Sequence, residues 1–221
     1  LIIIKHNKYI SIILPIRNES NFISNTLDSI INQDCPDSNF EIIIADGMSN
    51  DGTREILQKY LDEYSNIILV DNPEKIVPTG FNRALNVARG DIIVRVDGHS
   101  IIANDYLKNC VELLIKKGAS NVGGLMRAEG VGFFDKVVST ATSSKFGIGN
   151  AQFHYSDKGQ WVDTVYMGSW KRNVFENNGG FDEELIRNQD DEFNFRLIQN
   201  GGKIWLDSSI ESAYYPRNSL K

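Results

Sequence analysis

Residues 92–100, with the sequence IIVRVDGHS, are an apolar run that ends abruptly in polar side chains. The run has the composition of a buried β-strand, and Asp97, Gly98 and His99 follow it directly. A turn explains the glycine and tolerates the aspartate. It does not explain why a carboxylate and an imidazole lie two positions apart, where both can reach one ion. The stretch therefore predicts a core strand that delivers polar groups to a site.

The same succession of a buried strand and a helix recurs along the first half of the chain. Apolar, β-branched runs predict strands, and apolar residues spaced three or four apart predict amphipathic helices between them. The strands are predicted over residues 9–16, 41–46, 66–71 and 91–97. Such strands are typical of a mostly parallel central sheet with helices on both faces. The predicted fold is therefore a doubly wound α/β fold.

The second half of the chain is less regular. Strands are predicted over residues 121–128, 161–170 and 203–207, and helices near 133–144 and over roughly 190–200. Residues 147–160 are polar and contain glycine, which predicts a loop. Because the sequence shows neither an internal repeat nor a linker composition, residues 1–221 are predicted to form a single domain.

The bulk composition narrows the class of partner. The chain has 221 residues and a net charge of -6, with acidic and basic residues mixed along its length, so we expect no nucleic-acid partner. Cys35 and Cys110 lack the spacing of a zinc or redox motif, which predicts free thiols in a reducing, cytoplasmic compartment. No apolar run approaches the length of a membrane span. The chain begins without Met, which is typical of a fragment, so we expect any association with the cytoplasmic face of a membrane to come from segments outside it.

Polar residues collect after each of the four predicted parallel strands. Ligands of open α/β sheets bind where the carboxyl ends of the strands meet, so these loops predict one cleft. The glycine-rich loops of dinucleotide oxidoreductases and of P-loop enzymes are absent from the sequence. The phosphates of a bound nucleotide then need another counter-charge, most simply a divalent cation that Asp97 and His99 can hold. The polar residues concerned are Arg17, Asn18, Glu19, Asp46, Asn50, Asp51, Lys75, Asp97 and His99.

Four stretches resemble, in their order and spacing, the family 2 glycosyltransferases of the GT-A, Rossmann-like fold. They are SIILPIRNES, EIIIADGMSNDGT, TGFNRALNVARGDIIVRVDGHS and GGFDEEL…NQDDEFNFRL. The set is most similar to bacterial exopolysaccharide enzymes of the succinoglycan-biosynthesis type and covers roughly residues 9–210. The resemblance implies a nucleotide-binding half over about 9–100 and an acceptor-binding half over about 101–210.

The resemblance implies a reaction as well as a fold. Such enzymes move a sugar, here expected to be a hexose from a UDP-sugar, to a hydroxyl of a lipid-linked glycan or polysaccharide acceptor. Family members end the fourth strand in Asp-x-Asp, whose aspartates contact the donor ribose and a divalent metal. The matching triplet, Asp97-Gly98-His99, has an imidazole in place of the second carboxylate. Since imidazole is a poorer match to Mg²⁺, we expect Mn²⁺, although the departure leaves metal dependence open.

The family pattern also assigns residues to the donor nucleoside. Asp46 matches the aspartate that contacts the uracil edge, and its alternative role is to cap the turn before Gly47. Pro15, Arg17 and Glu19 match the loop that lines the nucleoside. The alternatives are a surface cation for Arg17 and a carboxylate in the first turn of a helix for Glu19.

For Lys75 and Trp170 the sequence leaves a binding role and a structural role open. Lys75 can reach a donor phosphate or is an exposed loop lysine. Trp170 offers an aromatic face to the donor sugar or packs in the core. Asp51 is expected to cap the helix that follows it. Arg95 lies inside the fourth strand, so it must be paired if buried, and it receives no catalytic role. Trp161 and His154 could meet the acceptor.

Residues 187–197, RNQDDEFNFRL, are the second centre of predicted chemistry. Family spacing places the catalytic base at Asp190, with Asp191 as the alternative. A single base suffices, because it takes the proton of the acceptor hydroxyl as that oxygen attacks the anomeric carbon with inversion. The family usually has Glu where this chain has Gln189. The core face of the helix is predicted to consist of Phe193, Phe195, Leu197 and Ile198.

Two other functions stay open. The departures at His99 and Gln189 favour, as the alternative, a catalytically inactive relative that binds sugar nucleotides or glycans. Nucleotidyl transfer uses a similar fold, but the PIRNES loop lacks the glycine-rich, basic sequence of such enzymes.

Overall fold

The computed structural model describes residues 8–35, 40–128 and 158–215. The strands in these ranges are β1 (Ile10–Ile16), β2 (Phe40–Asp46), β3 (Ile67–Asp71), β4 (Ile92–Arg95), β5 (Ser100–Ile102), β6 (Asn121–Ala128), β7 (Gln160–Val162), β8 (Tyr166–Lys171) and β9 (Ile204–Tyr214). The helices are α1 (Ile23–Ile31), α2 (Thr53–Glu63), α3 (Val77–Val87), α4 (Tyr106–Lys116), α5 (Arg172–Asn178) and α6 (Gln189–Gln199). Together they form an α/β fold around one mixed sheet.

The strand order of the sheet is β3-β2-β1-β4-β8-β6-β9-β5, and β7 pairs with β9. Strands β1 to β4 are mutually parallel, and β8 joins β4 in the antiparallel direction. The register places Ile16 opposite Asp46 and Asp46 opposite Asp71. Because these strands end at the same level, the loops that follow them open on one edge of the sheet.

Apolar helix faces cover both sides of the sheet, which confirms the predicted α/β fold. Alternate residues of β1 point to opposite faces, so Ile12 and Leu14 pack with one set of helices and Ile13 with the other. Helices α1, α2 and α4 cover the first face, and α3, α5 and α6 cover the second. Cys35 and Cys110 are free thiols, as predicted.

Several predicted elements differ from the structure. The run 161–170 is two strands, β7 and β8, because the chain leaves the sheet at Thr164, whose hydroxyl binds the start of α6. Strand β9 continues to Tyr214, well beyond the predicted end at residue 207, while β5 and α5 had no predicted counterpart.

Part of the predicted core face of α6 is wrong. Phe193 and Leu197 lie four positions apart and are buried together, whereas Phe195 lies on the opposite side of the helix and is 65% exposed. The helix near 133–144 and His154 fall outside the described residues, as does most of the loop over 147–160. Within the described ranges, no helix has both the length and the apolarity needed to cross a bilayer.

Candidate active site

At the end of β4, Arg95 contacts two predicted site residues, Asp97 and Asp190. Arg95 is the last residue of the strand and is only 9% exposed. Its Nε donates to Asp97 Oδ1 at 2.9 Å. Its Nη1 lies 4.0 Å from Oδ2 of Asp190, at the start of α6. The carboxylate predicted for the donor site and the carboxylate predicted as base therefore lie on either side of one guanidinium.

The charges of this group reinforce one another. Burial acts to raise the pKa of Asp97, but the charge of Arg95, the electrostatic influence of His99 and hydrogen bonds from Arg95 and Tyr166 outweigh it and hold that pKa below its ordinary value. Burial acts to lower the pKa of Arg95, and the carboxylates of Asp97 and Asp190 outweigh that effect and raise it. Arg95 and Asp97 are therefore an ionised pair at neutral pH.

His99 is fixed by a buried carboxylate. Its Nδ1 lies 3.0 Å from Oε1 of Glu19, which is 2% exposed. The backbone N–H of Glu19 donates to Thr53 Oγ1 at 2.9 Å, so the carboxylate lies on an anchored chain segment. The rings of Phe22 and Tyr214 pack edge-on against the imidazole. With Nδ1 turned to Glu19, Nε2 is the nitrogen that can face a ligand.

This position of Glu19 corrects a prediction. The sequence placed Glu19 on the loop that lines the nucleoside, but burial beneath His99 removes its carboxylate from the surface of the cleft. Pro15 is likewise buried inside β1, opposite Ala45, and belongs to the core and not to a donor-binding loop. Of the three residues predicted on that loop, Arg17 alone has an exposed side chain.

The side chains of Asp97 and His99 suit a divalent cation that a diphosphate also binds. In the parts of the chain that the structure describes, no cluster of three or more His, Cys, Asp or Glu side chains could hold a metal alone. The carboxylate of Asp97 binds Arg95 through Oδ1 and also accepts a hydrogen bond from Tyr166, and its lone pairs can bind a cation as well, while His99 offers Nε2. Two protein ligands suffice where phosphate oxygens and water supply the others, and both ligand types are compatible with Mn²⁺.

Asp46 serves the turn after β2. Its carboxylate is fully buried, accepts the backbone N–H and the hydroxyl of Ser49, and binds Arg54 Nε at 2.5 Å. Arg54 also pairs with the exposed Asp71 at the end of β3. The predicted contact between Asp46 and a uracil edge is therefore blocked in this structure, and Arg54 is the group that covers it.

Exposed cations lie on two of the loops at this edge. Arg17 follows β1, and its Cβ lies 3.1 Å from where a Cβ on Gly47 would stand, so the glycine allows these two loops to approach. Lys75 is exposed on the loop after β3, in a left-handed conformation with φ 65°. Both residues are exposed at this edge of the sheet.

The two adjacent aspartates at the start of α6 have different surroundings. The side chain of Asp190 is 42% exposed and faces Arg95. Asp191 accepts the hydroxyl of Thr164 at 3.0 Å, and Asn194 donates to the same hydroxyl oxygen. Gln189 is buried. Asp191 is thus an exposed residue held by Thr164, whereas Asp190 is half-buried and directed at Arg95.

Trp170 is a core residue. The side chain is 3% exposed, and its ring centroid lies 5.4 Å from that of Phe175 and 6.1 Å from those of Phe81 and Phe193. The predicted contact between Trp170 and the donor sugar is wrong, because no ring face reaches the cleft.

Two tyrosines complete the site without having been predicted. The hydroxyl of Tyr166 lies 2.8 Å from Ser100 Oγ, and it also forms a hydrogen bond with Asp97. Tyr214 packs against His99 and Tyr166. Both lie on strands whose limits the sequence pattern did not give, so the only available signal was the aromatic content of those segments.

Comparison with known proteins places the chain in a family. The model of the glycosyl transferase family 2 matches residues 11–178, which is most of the chain. This protein belongs to that family. It is 32% identical over 211 residues to the succinoglycan biosynthesis protein ExoA of Rhizobium meliloti (strain 1021), an alignment that covers 95% of this chain and 64% of that protein.

A second relative comes from an archaeon. Dolichyl N-acetyl-alpha-D-glucosaminyl phosphate 3-beta-D-2,3-diacetamido-2,3-dideoxy-beta-D-glucuronosyltransferase of Methanococcus voltae is 32% identical over 221 residues. That alignment covers 96% of this chain and 68% of the relative. The chain thus spans about two thirds of the length of these two relatives.

Solved structures share the fold and confirm the predicted GT-A architecture. The TarS 1–349 structure of Staphylococcus aureus in complex with UDP-GlcNAc superposes with a TM-score of 0.73 at 21% identity, covering 96% of this chain and 59% of that one. The mannosyltransferase PcManGT from Pyrobaculum calidifontis, in complex with GDP-Man and Mn²⁺, gives a TM-score of 0.74 at 21% identity, with 98% and 59% covered.

Proposed function

We propose that this chain is the catalytic domain of an inverting glycosyltransferase. It transfers a hexose from a UDP-sugar to a hydroxyl of a lipid-linked glycan or polysaccharide acceptor. The observation that carries the proposal is the placement of Asp190, a partly exposed carboxylate at the start of α6, beside the Arg95–Asp97 pair at the end of β4. A base next to a diphosphate-binding edge is what a single-displacement transfer requires.

In this mechanism Asp190 accepts the proton of the acceptor hydroxyl as that oxygen attacks the anomeric carbon of the donor. The new glycosidic bond forms as the bond from that carbon to the diphosphate oxygen breaks, and the nucleoside diphosphate leaves with the electron pair. Attack and departure on opposite faces invert the anomeric configuration. Asp191 keeps the start of α6 in place through Thr164 and does not exchange a proton.

The diphosphate lies at the end of β4 in this proposal. Asp97 and His99 Nε2 would hold a divalent cation, for which Mn²⁺ is the expected metal, and such a cation would supply positive charge to the leaving group. Arg17 and Lys75, both exposed at the cleft edge, contact the nucleoside and a phosphate. The complex of PcManGT with GDP-Man and Mn²⁺ supports a metal-assisted donor site in a related fold.

The proposal extends to the organisation of the chain. Residues of about 9–100 bind the donor and those of about 101–210 bind the acceptor, within one domain at the cytoplasmic face of a membrane. The names of the two curated relatives, which concern succinoglycan and a dolichyl phosphate-linked sugar, support a glycan or lipid-linked glycan as acceptor.

A thermal-shift titration with UDP and with GDP, each in the presence of EDTA, Mg²⁺ or Mn²⁺, tests the donor site. A ligand at 100 times its dissociation constant stabilises a fold by about 2.7 kcal/mol, which is readily measured. We expect a shift with UDP and Mn²⁺ that EDTA removes. A shift with GDP alone would contradict the choice of nucleotide, and no shift with either would contradict the donor site.

Release of UDP from a panel of UDP-sugars, with and without lipid-linked or glycan acceptors, then separates an enzyme from an inactive relative. The catalytic proposal expects acceptor-dependent release. Binding of UDP without release from any donor of the panel would favour the sugar-nucleotide-binding alternative, which the departures at His99 and Gln189 motivate.

A further inference from the structure

Arg95 is unusual because it is a charged residue within a strand of the buried sheet. Its neighbours Val94 and Val96 are fully buried, and its own side chain is 10% exposed. A buried guanidinium costs several kcal/mol unless its partners compensate for the lost water. Both partners here, Asp97 and Asp190, are residues to which the proposed reaction assigns a role.

We propose that Arg95 is a positioning residue that fixes Asp190 relative to the donor site by joining it to Asp97. This inference rests on the glycosyltransferase function proposed above. Asp97 follows β4, in the rigid parallel part of the sheet, whereas Asp190 is on the first turn of α6. In the described structure, Arg95 forms ion pairs with both carboxylates, at 2.9 Å and 4.0 Å.

The arrangement also offsets a repulsion. Asp97 and Asp190 are both acidic, and a donor diphosphate would add further negative charge to the same edge. Two carboxylates and a diphosphate gathered at one edge repel one another unless a cation lies between them. His99 and Tyr166 are the other titratable groups that influence Asp97, and Glu19 takes up Nδ1 of the histidine. Arg95 is therefore the cation that faces both carboxylates in this group.

The identity of the cation matters for this role. A guanidinium is planar and presents several N–H groups in fixed directions, so Nε can bind Asp97 while Nη1 is directed at Asp190. A lysine ammonium is a single point charge at the end of a flexible chain and cannot hold both directions at once. The conservative variant Arg95→Lys therefore separates charge from geometry.

Steady-state kinetics and UDP binding by calorimetry test the proposal on the purified chain. For Arg95→Met we expect kcat to fall about 100-fold, as for a misplaced catalytic group, while the dissociation constant of UDP with Mn²⁺ changes by less than about five-fold. Arg95→Lys should keep the affinity of the native chain and recover only part of kcat. Arg127→Met, which removes an exposed arginine paired with Glu211, is the matched control and should change neither quantity.

Equal losses of kcat and UDP affinity in Arg95→Met would overturn the proposal, because they would indicate general disruption of the site. Unchanged kcat would also overturn it, as would full recovery of kcat in Arg95→Lys. In either of these cases turnover by the native chain still supports the proposed function.

A thermal-unfolding cycle tests the link without any turnover. Asp190→Asn should shift the unfolding midpoint less in the Arg95→Met background than in the native background, because residues in direct contact are coupled. Equal shifts in the two backgrounds would show that Arg95 does not hold Asp190. A native chain that releases no UDP would contradict the proposed function, and this cycle would still decide whether the link exists.

Discussion

Nδ1 of His99 lies 3.0 Å from a carboxylate oxygen of Glu19, and both side chains are largely withdrawn from solvent. The pair joins the first polar loop of the sheet to the end of β4. A carboxylate that accepts the Nδ1 proton fixes the ring tautomer and its orientation, and makes Nε2 a better ligand. Where the family's Asp-x-Asp motif has its second carboxylate, this chain has His99, and Glu19 is the carboxylate that orients its imidazole.

Glu19→Gln should weaken Mn²⁺-dependent binding of UDP by about 10-fold or more, the usual effect of removing the partner of a metal-binding histidine. Gln keeps the size of the side chain and loses the negative charge. Calorimetric titration of UDP with Mn²⁺ and with EDTA measures the effect. Glu112→Gln, on the exposed side of α4, is the control. An equal loss in EDTA would show that the pair does not act through a metal.

Asp190→Asn should lower kcat by about 10³-fold, within the range for loss of a general base, and leave UDP affinity within a few-fold. Asp191→Asn is the matched control at the neighbouring position. Its amide oxygen can still accept the hydroxyl of Thr164, so most of the activity should remain. Rates of UDP release with acceptor present provide the comparison. If kcat fell more in Asp191→Asn than in Asp190→Asn, Asp191 and not Asp190 would be the catalytic base.

The stability of the fold should depend on pH partly through the carboxylate of Asp51. Burial acts to raise its pKa, but hydrogen bonds from Thr53 and Ser20 outweigh it and lower the pKa from 3.8 to about 2. Since the folded value is depressed, the stabilisation is present above the unfolded value of 3.8 and is lost as the pH falls toward 2.

Urea unfolding of Asp51→Asn and of the native chain between pH 6 and pH 3 measures this contribution. The native chain should lose stability more steeply below about pH 4, with a difference under about 1 kcal/mol because Asp51 is exposed and solvent screens its interactions. Parallel curves for the two proteins would show that the depressed pKa does not contribute to folding.

The edge of the sheet at which the candidate site residues lie could be predicted, because it depends on where strands end. Buried strands can be predicted from local composition, and the carboxyl ends of parallel strands meet at one edge. Asp97 and His99 follow β4 within four residues of its last position. Their placement at this edge therefore required no knowledge of side-chain contacts.

The partners of the site residues could not be predicted, because side-chain contacts between elements depend on how those elements pack. Arg54 covers Asp46 from the first turn of α2, eight positions along the chain, and Glu19 reaches His99 across 80 positions. Nothing in the local pattern distinguishes a buried acidic residue that binds a ligand from one that another side chain has already neutralised. Only the packing of α1 and α2 against the sheet separates the two cases.

Trp170 was predicted to contact the donor sugar, but the structure buries it in the core, and this difference can be tested. It is enclosed by phenylalanine rings, and its indole N–H is a buried donor with no hydrogen-bond partner within the described residues. Trp170→Ala should destabilise the fold by about 3–5 kcal/mol, as for other large-to-small core substitutions. Trp170→Phe should cost less, because it keeps an aromatic ring and removes an unsatisfied donor.

Denaturant unfolding of the two Trp170 variants checks these values, with Trp161→Phe as the control at a tryptophan that is 49% exposed. A core role also requires that Trp170→Phe leave the KM for the donor sugar unchanged, since no ring face of Trp170 reaches the cleft. If Trp170→Phe instead raised that KM several-fold while keeping the native stability, the indole would have to contact the donor. The prediction from sequence would then be right, and the cluster of Phe175 and Phe193 would have to open when the donor binds.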